Sequence, residues 1–248
     1  MKIIIAPAKK MRVDTDSIAP SALPQFLDQT RMILDYLKSL SYDELKKLWQ
    51  CNDQIAQENY ERLEVMDLTR NLTPAILAYD GIQYQYMAPS VFTAEEFQYV
   101  EDNLRILSGF YGLLKPLDGV TPYRLEMQAR TKLPGNLYNF WNDKIYQALI
   151  DDSRIIINLA SKEYAKAVER YLTEDDLMIT CFFGEYNKSG KLVAKGVYAK
   201  MARGEMVRFM ATHHVTDPEQ IKAFHELGYV YNDELSTNKE YIFIRQTK

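Results

Sequence analysis

The stretch RIIINLA, residues Arg154–Ala160, decides the fold class that we expect for this chain. Its apolar residues follow one another without alternation, which is typical of a strand covered on both faces of a sheet. A second stretch of this kind, KIIIA (Lys2–Ala6), starts almost at the first residue and is stopped by Pro7. We therefore predict a buried strand at each of these positions.

Helical and strand patterns alternate along the rest of the chain. Two capping boxes, Ser41 with Glu44 and Thr93 with Glu96, mark the starts of helices. Apolar spacing predicts helices over Leu23–Leu40, Ser41–Trp49, Ile55–Met66, Thr93–Leu104, Leu137–Leu149, Ser161–Tyr171 and from Asp217 onward. Short apolar runs predict further strands over Ala75–Tyr79, Gln83–Tyr86, Leu177–Glu185, Lys191–Tyr198, Tyr229–Asp233 and Glu240–Arg245. Because we find no repeat and no linker, we predict one compact domain over residues 1–248, of mixed α/β (α+β) class, with a central mixed sheet flanked by helices.

Composition predicts a folded protein without a general attraction to polyanions. Of the 248 residues, 47% are apolar, which suffices for a sizeable core, and the net charge is −4 at pH 7. Cys51 and Cys181 lie far apart and form no CxxC motif, so neither a disulfide framework nor a zinc cluster is predicted. We find no signal-peptide pattern and no run of roughly 20 apolar residues. These features predict a soluble protein of the cytoplasm that does not enter a membrane.

The segment from 103 to 130, NLRILSGFYGLLKPLDGVTPYRLEMQAR, concentrates positive charge around a glycine turn, LSGFYG. Only Asp118 and Glu126 are acidic there. Backbone N–H groups in such a turn can point at an anion, and arginines can add bidentate contacts to phosphate oxygens. The alternative is a tight turn between two helices with solvated charges around it, and the residues alone leave both interpretations open. The basic residues are Arg105, Lys115, Arg124, Arg130 and, just beyond the segment, Lys132.

Further polar residues stand where predicted strands end, and a second basic segment runs from 188 to 208. Lys200 and Arg203 are three residues apart on a predicted helix and so share a face. These groups could meet in a cleft for an anionic ligand, with Glu126 or Glu163 transferring a proton. They could equally form a buried ion-pair network that fixes the fold. The cleft set is Lys9, Arg124, Glu126, Asn158, Ser161, Glu163, Lys200 and Arg203.

Several common signatures are absent from the sequence. There is no Walker loop, no GxGxxG and no GxSxG motif, so a nucleotide-binding loop and a serine hydrolase are not predicted. Adjacent histidines His213 and His214 do not share a helical face, and His225 has no HExxH context. We therefore predict no metal site and no cofactor, and we assign no catalytic residue.

Motifs along the whole chain resemble the YaaA family of bacterial peroxide stress resistance proteins. They are IIAPAK (4–9), LSGFYG (107–112) with KPLD (115–118), PYRLEM (122–127), NLAS (158–161) with Glu163-Tyr164, and Ala202-Arg203-Gly204. The resemblance implies survival of hydrogen peroxide, with less free intracellular iron and less Fenton damage to DNA. It also implies a single-domain mixed α/β fold, a positively charged cleft, a helix-hairpin-helix element and binding to duplex DNA.

Two departures from the expected pattern bear on these implications. Gly109 and Gly112 enclose two residues, whereas a phosphate-binding hairpin of the helix-hairpin-helix type usually encloses one. The alternative DNA element is the short connection between predicted helices at Leu40–Ser41. Ala6 stands where the family leads us to expect a serine; if a hydroxyl there contacts a ligand in the family, this protein lacks that contact.

Our main functional hypothesis is a peroxide stress protein that binds duplex DNA through phosphate contacts, without reading base sequence. The alternative is an enzyme that acts on a small anionic or nucleotide-like ligand, although no reaction comes with the resemblance. Direct iron sequestration is disfavoured because histidines and cysteines are few and poorly spaced. The predicted DNA-binding or anion-binding residues are Lys9, Lys10, Arg105, Gly109, Gly112, Lys115, Arg124, Glu126, Arg130, Lys132, Asn158, Ser161, Glu163, Lys200, Arg203 and Arg208.

Overall fold

The two predicted buried strands lie side by side at the centre of a mixed sheet. A computed structural model describes residues 1–133 and 135–246. Its strands are β1 (Lys2–Ile5), β2 (Lys10–Met11), β3 (Thr73–Pro74), β4 (Tyr79–Asp80), β5 (Leu104–Ser108), β6 (Gly112–Leu114), β7 (Gly119–Val120), β8 (Ile155–Leu159), β9 (Leu177–Tyr186), β10 (Leu192–Val193), β11 (Tyr229–Tyr231) and β12 (Glu240–Arg245). The interior residues of β1 and β8 are buried on both sides, as their continuous apolar runs predict.

The order of strands in the main sheet is β11-β12-β9-β8-β1-β5-β6, with β10 paired to β9. β1 is parallel to both β5 and β8, with Ile5 opposite Leu159. From β1 the chain proceeds to β5 on one side, whereas from β8 it proceeds to β9 on the other. The connections that leave β1 and β8 therefore diverge, and such a switch point opens a crevice at the carboxyl ends of the strands.

Helices cover the sheet and supply much of the core. They are α1 (Leu27–Lys38), α2 (Tyr42–Trp49), α3 (Asp53–Glu64), α4 (Ala75–Ala78), α5 (Ile82–Met87), α6 (Ala94–Asn103), α7 (Leu137–Trp141), α8 (Lys144–Leu149), α9 (Lys162–Glu169) and α10 (Gly196–Thr212). Short 3₁₀ helices cover Pro89–Val91, Pro218–Ala223 and Glu226–Gly228. Both predicted capping boxes form, at Ser41 and at Thr93. The protein is a single α/β domain with a mixed sheet, as predicted.

Two predicted strands are wrong, because 75–78 and 82–87 are helical. A run of four apolar residues suits a buried helical turn as well as a buried strand, since length alone does not separate them. The alternation of Gln and Tyr in QYQY imitates a strand, but Gln83, Tyr84 and Met87 lie buried at helical spacing. Because of the error over 82–87, the sequence analysis does not predict that α5 forms a wall of the pocket described below.

The glycine turn does not join two helices. Residues 104–108 form β5 and residues 112–114 form β6, and these strands pair as an antiparallel hairpin with Ser108 opposite Gly112. Gly112 has a φ of 74°, a conformation that glycine adopts without strain. The interpretation as a helix-to-helix turn is therefore wrong, and this turn is not the hairpin of a helix-hairpin-helix element.

Other boundaries differ in smaller ways. The predicted helix over 137–149 is divided into α7 and α8 at Asn142, where φ is 48°. The predicted strand over 191–198 is only two residues long, since α10 begins at Gly196. Ser161 stands at the N-cap of α9 as predicted, but its side chain makes no capping hydrogen bond. In the described part of the chain, no helix has the length and apolar character needed to cross a bilayer.

Candidate functional site

A pocket of about 540 Å³ lies at the carboxyl ends of β1 and β8. This volume falls in the range of small-molecule sites. Its lining residues come from the segment after β1, from α5 and the turn before it, from the loop after β7, and from the start of α9 and the middle of α10. They include Lys9, Lys10, Asp80, Gln83, Tyr84, Tyr123, Arg124, Glu126, Ser161, Glu163, Tyr164, Lys200 and Arg203. The crevice expected at the switch point is therefore occupied by five cations and three acids.

Glu126 is the centre of an ion-pair cluster in this pocket. Its Oε1 lies 3.0 Å from Lys9 Nζ and 3.6 Å from Arg124 Nη2. The side chains of Arg124 and Glu126 are largely buried, whereas that of Lys9 is mostly exposed. Arg124 Nη2 also approaches the carbonyl oxygen of Trp49, at 3.5 Å. The cluster fixes Glu126 in place and links the pocket to the end of α2.

Glu163 is a second carboxylate of the pocket, with different surroundings. It accepts a hydrogen bond from the backbone N–H of Gln128 at 3.1 Å. Burial raises the pKa of Glu163 above its ordinary value, and the negative charge of Glu126 raises it further. A raised pKa brings a carboxyl group closer to the range that suits a general acid or base. This pair of carboxylates is where the pocket could transfer a proton.

Arg203 differs from Arg124, because it has no counter-ion among the described residues. Burial lowers the pKa of its guanidinium, and its Nε atom contacts no acceptor. The one ionisable group that acts on its pKa among the described residues is the buried Cys181 thiol. Burial raises the pKa of that thiol to about 12, so the thiol is neutral. Arg203 is therefore a partly desolvated cation that no described side chain neutralises.

Gln83, on the neighbouring helix α5, also has a buried donor without an acceptor. Its side chain is 7% exposed, and its Nε2 atom has no acceptor among the described residues. Buried donors in folded proteins are nearly always paired. Gln83, Arg203 and Arg124 thus place three unsatisfied donor nitrogens on the walls of one pocket, but the charge of Arg124 is already paired with Glu126. The sequence analysis does not identify Gln83, because the QYQY alternation predicts a strand. Helical spacing would place Gln83 and Tyr84 on a buried face.

The aromatic part of the pocket is rigid and uncharged. The hydroxyl of Tyr123 is 2.8 Å from that of Tyr79 and 2.7 Å from Ser108 Oγ. Burial raises the pKa of Tyr123 to about 12, so its hydroxyl stays protonated at neutral pH. Tyr84 donates to the carbonyl oxygen of Ala6 at 3.0 Å, and so anchors the residue where a serine was expected.

The glycine turn supports the pocket from behind. Phe110 and Tyr111 are fully buried, and their N–H groups donate to Ser108 Oγ at 3.1 and 2.9 Å. These two amides therefore already have an acceptor, and Gly109 and Gly112 do not line the pocket. A Cβ atom on Gly109 would stand 2.7 Å from the carbonyl oxygen of Leu125. Gly109 therefore lets the loop that carries Arg124 and Glu126 pack against the hairpin.

Other predicted site residues lie outside the pocket. Asn158 is buried, donates to Thr180 Oγ1 at 3.1 Å and accepts from the N–H of Ala160 at 3.0 Å, so it stabilises the strand ends. Arg105 and Lys115 line a different cavity, of about 310 Å³. Half of the sixteen predicted residues thus converge on the pocket. The three that line neither cavity and are exposed on the surface are Arg130, Lys132 and Arg208.

The acidic, histidine and cysteine side chains do not gather into a metal site in the described residues. Within residues 1–133 and 135–246, no group of three or more His, Cys, Asp or Glu side chains is arranged to hold a metal ion. His213 and His214 follow the end of α10, and His214 lies 3.9 Å from Glu95 on α6. This pair belongs to the surface and does not reach the pocket.

Comparison with known proteins gives the family. The family model described as "Peroxide stress protein YaaA" matches residues 1–235. A UPF0246 protein of Agathobacter rectalis is 58% identical over 248 residues, which cover 99% of each chain. UPF0246 proteins of Desulfitobacterium hafniense and Pediococcus pentosaceus are each 54% identical over 99% of this chain and 98% of their own. The resemblance expected from the motifs is confirmed, and the chain belongs to the peroxide stress protein YaaA family.

Proposed function

We propose that this peroxide stress protein binds a small anionic, nucleotide-like ligand in the pocket and that it acts on this ligand by proton transfer. The observation that carries the proposal is Arg203, whose Nε is buried and whose guanidinium has no counter-ion among the described residues. Burying an unpaired charge is costly, so such a group is expected to meet an anion when the site is filled. This is the alternative of our two sequence-based hypotheses, and the pocket favours it.

The chemistry assigned to the pocket follows from its two carboxylates. Glu126 is held between Lys9 and Arg124, so it is suited to fix the position of a ligand. Glu163 has a raised pKa and accepts one backbone hydrogen bond, so it is suited to give or take a proton. Acids, an amide and cations gathered in a pocket suit a reaction on a bound molecule better than an open contact with DNA.

A thermal-shift titration tests this proposal. Adenosine 5′-monophosphate (AMP) is added to the wild-type protein and to two variants of α10, Arg203→Met and Arg208→Met. Arg208 is exposed and lies outside the pocket, so it is a matched control. Ligand at 100 times its Kd should stabilise the protein by about 2.7 kcal/mol. We expect this shift for the wild type and Arg208→Met only; no shift with any mononucleotide would refute the proposal.

Binding of duplex DNA is a second candidate function. The observation that favours it is the exposed ammonium groups of Lys9, Lys10 and Lys200 on the pocket lining of a protein with net charge −4. Such cations can contact phosphates of a duplex without reading its bases. The connection between α1 and α2 stays the alternative for a helix-hairpin-helix element, and Lys132 lies 3.5 Å from Glu44 of α2.

Salt dependence tests the DNA candidate. If four to six phosphates are contacted, affinity for an arbitrary duplex should fall by roughly two to three powers of ten between 50 and 200 mM salt. Changing Lys9, Lys10 and Lys200 together to Met should reduce the slope, whereas Arg203→Met should leave it nearly unchanged. Binding that does not respond to salt would exclude phosphate contacts.

The cellular role that we propose combines these elements in the cytoplasm. Ligand turnover or DNA binding would act during peroxide stress, and the lower free iron implied by the resemblance would follow indirectly. Iron bound stoichiometrically to protein purified without oxygen would contradict this indirect role.

A further inference from the structure

We propose that Gln83 and Arg203 form a subsite for the terminal oxyanion of the ligand, a phosphate monoester or a carboxylate. This inference rests on the proposed function, because it names which end of an anionic ligand the pocket holds and where. The exposed lysines of the pocket would be the ordinary candidates for binding the anion. The inference assigns this role to the wall between α5 and α10 instead.

The first argument is the pair of unsatisfied donors. Gln83 Nε2 and Arg203 Nε are both buried and both lack an acceptor among the described residues. An oxyanion offers several oxygens, so one group can accept from both a guanidinium and an amide. A neutral or cationic group would leave the buried guanidinium uncompensated. The ligand group at this wall is therefore anionic and rich in acceptors.

The second argument is how closely the two helices approach. Gly204, next to Arg203, contacts the backbone of α5: a Cβ atom there would collide with the carbonyl oxygen of Gln83 and stand 2.8 Å from the nitrogen of Met87. Glycine is thus required for α5 and α10 to touch backbone to backbone at this point. This contact fixes the helix turns that carry Gln83 and Arg203, so the two donors are held in position before a ligand binds.

The third argument concerns depth. The Lys9 and Lys10 side chains are 69% and 77% exposed, whereas Gln83 is 7% exposed. An internal phosphodiester of a duplex continues on both sides and lies on the surface of the nucleic acid. It could meet the exposed lysines, but it could not reach two buried donors unless both continuations entered the pocket. A terminal group has one attachment and can enter alone.

The remaining charges of the pocket leave this subsite free. Glu126 is engaged with Lys9 and Arg124, and Glu163 accepts from the N–H of Gln128. Neither carboxylate pairs with Arg203. The subsite therefore holds the anion, while the two carboxylates stand beside the rest of the ligand.

Isothermal titration with matched ligands tests the subsite. The probes are AMP, its 5′-methyl ester, adenosine, inorganic phosphate and acetate. We expect the wild type to bind AMP at least tenfold more tightly than the methyl ester. Arg203→Met should abolish this preference, and Gln83→Leu should weaken AMP about tenfold through loss of a hydrogen bond to a charged group. Arg208→Met should retain the preference. Competition by phosphate but not acetate would assign the subsite to phosphate monoesters, and the reverse to carboxylates.

The outcomes separate this inference from the proposed function. Equal affinity for AMP and its methyl ester would overturn the terminal-anion subsite and leave an anion-binding pocket in place. No binding of any probe would overturn both. Because Gln83→Leu also changes the shape of the side chain, Gln83→Glu provides a second variant of similar shape: its carboxylate should repel the monoester and leave adenosine unaffected. Unchanged AMP affinity in folded Gln83→Glu would also contradict the subsite.

Discussion

Arg105 and Arg203 are two arginines on the walls of two different cavities, and they differ in whether protein acceptors take their hydrogen-bond donors. Arg105 is 8% exposed, and its Nη1 donates to the carbonyl oxygens of Glu101 and Leu104 at 2.9 and 2.7 Å. Arg203 has a buried Nε without an acceptor among the described residues. Burial lowers the pKa of both guanidinium groups. A buried cation with satisfied donors stabilises the fold, whereas one without them is available to a ligand.

The acidic residues of the two cavities differ in the same way. Asp118 is buried beside Arg105 and accepts from the N–H of Lys115 at 2.8 Å, so it fixes the loop after β6. Glu101 Oε2 holds the same loop by accepting from the N–H of Leu117. In the larger pocket, Glu163 accepts a single backbone N–H and is half-buried. The acid beside the smaller cavity fixes a loop, whereas the larger pocket is where we propose that a ligand binds.

The largest effect should come from removing Arg105. Arg105→Met leaves two backbone carbonyl oxygens without donors, and we expect a loss of about 3 kcal/mol of unfolding free energy. Arg203→Met should change it by less than about 1 kcal/mol, because it removes a desolvated charge that no protein group neutralises. Urea unfolding of both variants measures this difference. The reverse order of stabilities would mean that the roles of the two arginines are exchanged.

The next effect concerns pH and Asp118. Burial raises the pKa of Asp118 from 3.8 to about 6, and the nearby charge of Glu101 adds to this shift. A folded-state pKa above the ordinary value means that the proton binds more tightly to the folded state. The resulting stabilisation, up to about 3 kcal/mol, is complete below pH 4 and is lost as pH rises through 6.

Asp118→Asn isolates this titration. The amide oxygen can still accept from the N–H of Lys115, but it does not titrate. Urea unfolding at pH 4, 5 and 7 should show the wild type losing stability relative to the variant over this range. A constant difference between the two proteins would show that Asp118 titrates alike in the folded and unfolded states.

A smaller effect is expected for the contact between α5 and α10. Gly204→Ala forces these helices apart, because its Cβ collides with backbone atoms of α5, and overpacking of this kind costs about 1–3 kcal/mol. It should also weaken AMP binding by displacing Gln83 from Arg203. Gly196→Ala is the matched control on the same helix, since no atom lies within 4 Å of its added Cβ. Thermal unfolding and AMP titration of the two variants measure both effects; equal behaviour would argue against a role for this contact.

The smallest effect on stability should come from Lys9. Its ion pair with Glu126 involves a mostly exposed ammonium group, and such pairs contribute less than about 1 kcal/mol. Lys9→Met should therefore change the urea midpoint little. Since Glu126 keeps its contact with Arg124, AMP binding should persist as well. A loss of stability comparable to that of Arg105→Met would show that the pocket also serves the fold.

Sequence reasoning could identify the centre of the sheet and part of the site. RIIINLA and KIIIA each contain three consecutive isoleucines, β-branched residues without alternation, and this pattern is typical of a strand buried on both faces. Lys9, Ser161 and Glu163 follow these strands directly, so parallel pairing of β1 and β8 brings them together. Arg124, Glu126 and Arg203 were predicted from local charge and from the family motifs. That they lie in one pocket depends on contacts between segments distant in sequence.

The roles of the other site residues could not be predicted from the sequence, because they depend on burial and on hydrogen-bond partners. Arg105 and Arg203 are the same residue type in two basic segments, and only their hydrogen bonds and the acids near them, which depend on the fold, distinguish them. The turn at Gly109 has the composition of an anion-binding loop, but the Ser108 hydroxyl already takes its amides. The alternation of Gln and Tyr around Gln83 predicts a strand, whereas tertiary packing makes this segment a helix.

Calorimetric titration of AMP into the wild type, Arg203→Met and Arg208→Met tests the central claim most directly. If the unpaired guanidinium of Arg203 is the anion-binding group, the wild type and Arg208→Met bind AMP with similar affinity. Arg203→Met then loses about tenfold to a hundredfold, as expected when a charge-assisted contact to an anion is removed. AMP binding to Arg203→Met with the affinity of the wild type would contradict the account.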